Sequence, residues 1–497
     1  LAALKRKSTS ATIFTVFLAI LGFWILGHAA TALSGAKASA NNSLPARPST
    51  ISNVTSGLSN PTPRDDKLKL VIALFRHGVR APLETFGKNA HAHSKDPWPD
   101  LKAWGVHSWG DLTPQGSNAV KALGAYYGAY YSKNAWPNTF KAYLWADSQD
   151  QRAIATADAL SKGMQTAGIN ASVDYLKPAG ATDPLFHPFT ANCGTPSQDK
   201  LNGIMAGIRA NCVGWQNSFK DQLQQLDQDV LACENGCGQS PCEPLNCLSC
   251  FQSPSRSATP TTRPASPIKW SGLFSYASSA TEAFLLEYAN RMTPAWGRVK
   301  IGEPGSPQLG YLLRLHEFYF DKTEREPYLA GILGANLVRE VLDELNRKAG
   351  RSSPIDGKCP RANADSQFIG LIGHDTNLAN VQTLLKVNWT FDDAQLPSDV
   401  RGFPANDALP AGALVFELRQ ADSSDYKVRI QYVTQTLNQI RNAPRETAPF
   451  RVQTRCGDAN ETPCEMSLRD FNKLVTNALG NYKPFLSHCW DGNQVCP

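Results

Sequence analysis

The sequence predicts an α/β fold in which one sheet, built from both ends of the chain, is interrupted by a mainly helical insertion. Three observations lead there. Leu68 to Phe75 has no proline or glycine and mixes β-branched with other apolar residues, as a strand buried on both faces does. A second apolar run, Phe368 to Ile372, likewise delivers a polar pair at its end. The stretch between these two runs carries several helical patterns.

In chain order, Lys5, Arg6 and Lys7 precede an apolar run from Ala11 to Leu26, shorter than the ~20 residues a bilayer-crossing helix needs. That pattern, with Ala30-Thr31-Ala32 or Ala38-Ser39-Ala40 as cleavage site, reads as a signal peptide over 1–40, or as an N-terminal anchor if left uncleaved. Residues 41–66, rich in Ser, Asn, Thr and Pro, read as a disordered linker. After the first strand, Pro114 fits the opening turn of a helix that continues from Ala119 to Tyr131. Tyr143 to Ala146 reads as a strand and Ala153 to Met164 as a helix with Gly168 beyond it. From about Pro178 to Gly272 the chain is polar and broken by proline, with a helical patch at Trp215 to Leu226. Helices are expected at Ala277–Asn290, Leu312–Tyr319, Leu329–Glu344 and Leu378–Leu385, and closing strands at Leu414–Leu418 and Tyr426–Val433. The α/β core is thus placed at 67–150 and 360–497, and the helical insertion at 151–359.

Without residues 1–40 the net charge falls from +6 to +2, too weak a balance to imply a nucleic-acid partner. Twelve cysteines in an exported chain point to disulfides and an oxidising compartment. The dense run from Cys233 to Cys250 has irregular spacing and no nearby histidine, so a stapled loop is expected rather than a zinc knot. His91 and His93 lie in a polar loop, and no metal or other cofactor is expected.

The chemistry concentrates at the ends of the two apolar strands. His77, between Arg76 and Arg80, follows the first, and His374 and Asp375 follow the second. Strand ends are where α/β sheets bind ligands, and cations there suit a phosphoryl group. A neutral imidazole is a competent nucleophile, and a carboxylic acid such as Asp375 can protonate a poor leaving alkoxide. Beside several cations its pKa should fall, so the substrate's own charge must help keep it protonated, which predicts an acidic optimum. No GxSxG, HExxH or Walker A sequence competes.

RHGVRAP, followed at a distance by GHDTN, resembles the histidine acid phosphatases. The chain is most similar to their bacterial periplasmic phytase and glucose-1-phosphatase subgroup, through DPWPDL, LTPQGSNAV, DPLFHPF, ATEAFLLEYANRM, WGR, GALVFE and TQTLNQIR. The resemblance implies a doubly wound, mixed and largely parallel sheet with an inserted helical domain over the phosphate cleft. It also implies His77 as the nucleophile, Asp375 as the general acid, and Arg76, Arg80, Arg152 and His374 as phosphate ligands. Glu282, Ser279 and Thr376 correspond to positions near the substrate, and disulfides Cys193–Cys489 and Cys456–Cys464 are implied by position. Leu83 and Glu84 depart from the threonine that often follows the motif in phytases, weakening the case for a polyphosphorylated ring. His187 and His316 carry no implied role. The expectation is an exported, monomeric acid phosphomonoesterase acting through phosphohistidine, with phytate as favoured substrate. Glucose 1-phosphate or a broad range of monoesters is the alternative. A non-catalytic phosphate-binding envelope protein and a mutase are the readings of other kinds; the presence of both His77 and Asp375 argues against the first, and the expected export and helical insertion against the second.

Overall fold

The computed structural model describes residues 66–137, 139–251, 268, 271–302, 308–354, 365–393, 396–421, 425–444, 449–452, 454–457 and 463–482. The expected leader, all but the last residue of the linker, and Cys359, Cys489 and Cys496 lie outside them.

Ten strands are described: β1 (Lys67–Arg76), β2 (Lys141–Ala146), β3 (Asn170–Tyr175), β4 (Phe368–Gly373), β5 (Val387–Trp389), β6 (Ala413–Gln420), β7 (Tyr426–Thr434), β8 (Phe450–Val452), β9 (Thr454–Cys456) and β10 (Glu465–Ser467). The main sheet runs β10-β7-β6-β1-β4-β2-β3, with β8 on β7, while β5 and β9 pair separately. β1, β4, β2 and β3 are mutually parallel and β6 is antiparallel to β1. β7 reverses again and so shares the direction of β1, whereas β8 and β10 run the other way. The result is a mixed, largely parallel sheet with an inserted helical domain.

β1 shows why the fold forms. Leu70, Ile72 and Leu74 enter one core, Val71, Ala73 and Phe75 the other, and all are buried. With alternate side chains pointing to opposite faces, a run apolar at every position must sit between two layers. One layer is the helix pair Pro114–Asn134 and Gln151–Thr166, which brings Val120, Leu123, Ala157 and Leu160 to the sheet. The other includes Pro327–Lys348, Asp375–Leu385 and Leu468–Leu479, through residues such as Leu337, Leu378 and Phe471. The first pair meets through glycines. A Cβ on Gly124 would fall 2.2 Å from the Leu160 carbonyl oxygen, and one on Gly163 2.0 Å from that of Lys121.

The insertion contains the helices Gln198–Ser218, Leu273–Ala289 and Arg314–Lys322 around Phe219, Phe274 and Phe318, whose ring centroids lie as close as 4.6 Å. The expected helix Leu312–Tyr319 is two, Leu309–Leu312 and Arg314–Lys322. Sequence patterning offered only a patch from Trp215 where a helix begins at Gln198, because Leu201 and Ile208 are the only residues that helix fully buries. Disulfides join Cys212 to Cys250, Cys233 to Cys242 and Cys237 to Cys247, so the cysteine-rich segment is cross-linked and offers no thiolates to a metal. Cys456 is bonded to Cys464, and Cys193 is disulfide-bonded. No helix among the described residues is long and apolar enough to cross a membrane.

Candidate active site

Three neighbouring parallel strands end together. Arg76 of β1 is in register with Gly373 of β4, and Ala146 of β2 with Ile372. The next residues, His77, His374 and Asp147, therefore leave the sheet side by side. Backbone hydrogen bonds from His77 N to Gly373 O and from Asp147 N to Ile372 O, both 2.9 Å, extend the ladder to this point. Gly373 is required for close packing, since a Cβ there would lie 2.5 Å from Asn377 Oδ1 and 2.8 Å from the Phe186 ring. Asn377 Oδ1 instead accepts the His374 backbone N–H at 3.0 Å, and this opens the helix Asp375–Leu385.

His77 is buried, with Nδ1 2.8 Å from the Gly78 carbonyl oxygen. A carbonyl only accepts, so Nδ1 carries the proton and the neutral ring presents a bare Nε2. Burial, followed by Arg152, Arg80, His374 and Arg76, holds the His77 pKa well below its ordinary value. Neutrality is thus enforced by the same cations that would attract an anion. Gly78 N donates to Thr156 Oγ1 at 3.1 Å, fixing this turn to the helix Gln151–Thr166.

Arg76 and Arg80 share Glu282, which reaches them from the helix Leu273–Ala289. The carboxylate contacts Arg76 Nη2 and lies 3.0 and 3.1 Å from Arg80 Nη2. Arg76 Nη2 also pairs with Asp375 Oδ2 at 3.0 Å, while Nη1 donates to Ala408 O at 2.5 Å. Arg152 grips Asp150 with two bonds of 2.9 Å, and its Nη2 lies 3.3 Å from His374 Nδ1. Arg76, Arg80 and Arg152 each keep a buried Nε–H with no hydrogen-bond partner among the described residues. Buried unsatisfied donors are costly, and an anion would satisfy them. Burial alone would raise the pKa of Asp375, but Arg76, Arg80, His316 and His374 hold it below the usual carboxylate range. Until a substrate enters, Asp375 is therefore ionised.

His374 rests on two acids that strand reading did not single out. Its Nε2 is 2.7 Å from Asp147 Oδ2 and 3.2 Å from Asp150 Oδ2. Burial and Arg152 oppose protonation of His374, yet these carboxylates prevail and its pKa is raised. His187 Nε2 is also 2.7 Å from Asp147 Oδ2, which draws the histidine of DPLFHPF into the site. Extending strand-end logic to Tyr143–Ala146 would have found Asp147, the next residue. The segment Ala408–Gly412 was missed as well: Gly412 O accepts from Arg76 N and Ala411 N donates to His77 O. Nothing in its composition marks that role.

Leu83 is 43% exposed, and Glu84, the first residue of the short helix Glu84–Asn89, pairs with the exposed Lys88. A Cβ on Gly110 would lie 3.6 Å from both Leu83 Cδ2 and Arg152 Nη1, so Leu83 comes near the Arg152 guanidinium. Ser279 Oγ turns back to Ser275 O at 3.0 Å, one helical turn before Glu282, and Thr376 N donates to Asp375 Oδ1 at 2.9 Å. His316 is buried, with Nδ1 2.9 Å from Ser278 Oγ. His93 Nδ1 donates to Glu243 O, so it braces the cysteine-rich loop. Among the described residues, two groupings besides the cross-linked Cys237 and Cys247 could bring ligand atoms to a cation: Asp147, Asp150, His187 and His374, and His316, Glu317 and Asp407. In the first the imidazoles are hydrogen-bonded directly to the carboxylate, and in the second Glu317 pairs with Arg325 at 2.6 Å.

A neutral imidazole, three arginines with buried Nε–H groups and a carboxylate gathered at three converging strand ends are an arrangement suited to phosphoryl transfer. The chain belongs to the histidine phosphatase superfamily (branch 2), which matches residues 67–433, and is a histidine acid phosphatase, a hydrolase. Phytase AppA of Escherichia coli is 28% identical over 435 residues, covering 83% of this chain and 92% of that protein. A glucose-1-phosphatase of Providencia rettgeri is 26% identical over 438 residues, covering 84% and 93%. Among solved structures, the apo form of Hafnia alvei phytase superposes with a TM-score of 0.69 at 25% identity, covering 84% of this chain and 98% of that one.

Proposed function

We propose that the protein is an exported acid phosphomonoesterase in which Nε2 of His77 attacks phosphorus and displaces the ester oxygen. The observation that carries this reading is the neutral, Nδ1-protonated His77 set among three arginines with unsatisfied Nε–H groups. Arg76, Arg80, Arg152 and His374 bind the phosphoryl oxygens, whose charge they stabilise as the bond to the leaving group breaks. The incoming dianion competes with Asp375 for Arg76, raising the carboxyl's proton affinity so that it carries a proton to the departing oxygen. Water then attacks the phosphohistidine, the N–P bond breaks, and inorganic phosphate and neutral His77 are released. The disulfides support an oxidising compartment outside the cytoplasm.

Phytate is the favoured substrate, supported by the similarity to phytases. A second reading, glucose 1-phosphate, is favoured by the exposed, apolar Leu83 near Arg152, which offers a polyanion no hydrogen bond, and by the acidic Glu84 that follows it in sequence. Phosphate release between pH 3 and 7 from phytate, glucose 1-phosphate and p-nitrophenyl phosphate separates them: the highest kcat/KM for phytate upholds the first reading, for glucose 1-phosphate the second. His77→Ala should abolish turnover on all three while the fold persists, and substantial residual activity would overturn the mechanism.

A further inference from the structure

We propose that His187, acting through Asp147, holds His374 as the doubly protonated donor that receives phosphate, and so sets the pH range over which the site works. The inference rests on the phosphatase reading above.

Asp147 is wholly buried and accepts three N–H groups: Nε2–H of His187 and of His374, each at 2.7 Å on Oδ2, and the backbone N–H of Gln149 at 3.1 Å on Oδ1. Because His374 gives Nε2–H to this carboxylate, only Nδ1 can change role. Unprotonated, Nδ1 can accept from Arg152 Nη2, 3.3 Å away; protonated, it can donate to a phosphate oxygen. The titratable and charged groups facing the ring are Asp147, Asp150 and Arg152 from the end of β2 and its following helix, His77 with ring centroid 5.5 Å away, His187 at 5.6 Å, and the adjoining Asp375. Two carboxylates favour the protonated ring and Arg152 disfavours it.

The device works only while Asp147 stays ionised in acid, where total burial would otherwise protonate it. Burial does push its pKa up, but the bonds from His187 and His374 outweigh this and hold it well below the ordinary aspartate value. His187 is the contributor outside the phosphate pocket. Its place is fixed: His187 N donates to Asp183 O at 2.9 Å, and the Asp183 carboxylate accepts Trp145 Nε1–H of β2 at 2.6 Å and Leu185 N–H at 2.9 Å. His187 is thus a positioning residue, tied to the strand that delivers Asp147.

The pH profiles of kcat/KM and of inhibition by inorganic phosphate test this. Asp147→Asn removes the negative charge from His374, so the alkaline limb should move down by about one pH unit, a tenfold loss on that side. His187→Leu removes a donor from Asp147, so the acid limb should move up by about as much. His187→Gln keeps an N–H donor and should restore the acid limb. If the variants rescale the whole profile with both limbs unmoved, or His187→Gln behaves as His187→Leu, the inference is wrong. Should a variant fail to fold, 15N NMR of the histidine rings in the intact wild-type protein decides. His374 should carry both ring protons with inorganic phosphate bound, and a ring neutral at Nδ1 in that complex refutes the proposal. Failure of the phosphatase reading looks different, because the wild type itself would then neither hydrolyse monoesters nor bind inorganic phosphate.

Discussion

Glu282 occupies the two guanidiniums that a phosphate would take. It neutralises charge in the pocket and competes with any anion that enters. Glu282→Gln should therefore tighten inhibition by inorganic phosphate by roughly tenfold, the scale of one charge-assisted hydrogen bond; unchanged or weaker inhibition would mean that Glu282 mainly orients the arginines. Asp375→Asn should still be phosphorylated by p-nitrophenyl phosphate, whose leaving group needs no proton, yet turn over alkyl esters at least a hundredfold more slowly. Equal losses on both substrates would assign Asp375 to the hydrolysis of phosphohistidine instead. At this scale the sequence was legible where polar residues follow apolar strands, as with His77 and His374. Asp147, the residue after a recognised strand, was open to the same logic, whereas His187 escaped because its meaning depends on a contact between a strand end and a distant loop, which no local pattern records.

Among the elements, the helices Pro114–Asn134 and Gln151–Thr166 approach through Gly124 and Gly163, where a methyl group would collide with backbone. Gly163→Ala should cost about 1–3 kcal/mol of stability through overpacking, read as a fall in Tm. Activity should fall with it, because the second helix carries Arg152 and the Thr156 that holds Gly78. A Tm equal to wild type would show that the pair can part without penalty. The buried elements announced themselves in sequence, since Leu70–Phe75 of β1 and Phe368–Gly373 of β4 carry no polar side chain and read as central strands. The edge strand β3 and the helix Gln198–Ser218 did not, because each leaves much of its surface in water and shows little periodicity. The pairings of Cys212, Cys233, Cys237, Cys242, Cys247 and Cys250 could not be deduced for a different reason: spacing leaves many connectivities open, and only the folded loop chooses among them.

Across the whole molecule, buried carboxyls fix how stability follows pH. Burial pushes Glu287 up to about 8 and, with help from Asp375, Glu324 up to about 7; Glu317 and Asp407 are raised in the same way. Each prefers its proton in the folded state, so the stability it lends is intact below its unfolded pKa, about 4.5 for the glutamates and about 3.8 for Asp407, and is lost as pH rises through the folded value. Asp147, Asp150 and Asp375 act oppositely. Their pKa values are depressed, that of Asp150 to about 2, so their stabilisation holds above about pH 4 and disappears as pH falls further. Tm should accordingly peak near pH 4–5 and decline toward pH 8. Glu287→Gln should flatten the decline, removing a slope of about 1.4 kcal/mol for every pH unit climbed. A Tm that rises steadily from pH 5 to 8 would contradict this balance.

The convergence of β1, β4 and β2 also bears on how the enzyme comes into being. His77 is translated before the strand beside it, Asp375 at the end of that strand and the loop that holds the Arg76 side chain, all of which come from beyond residue 360. A nascent chain, folding from its N-terminus as it emerges, has His77 long before it has a pocket. The pocket around His77 therefore closes only once the chain has been made past Gly412, and products stalled before that point should be silent toward the phosphate esters of the cell that makes them.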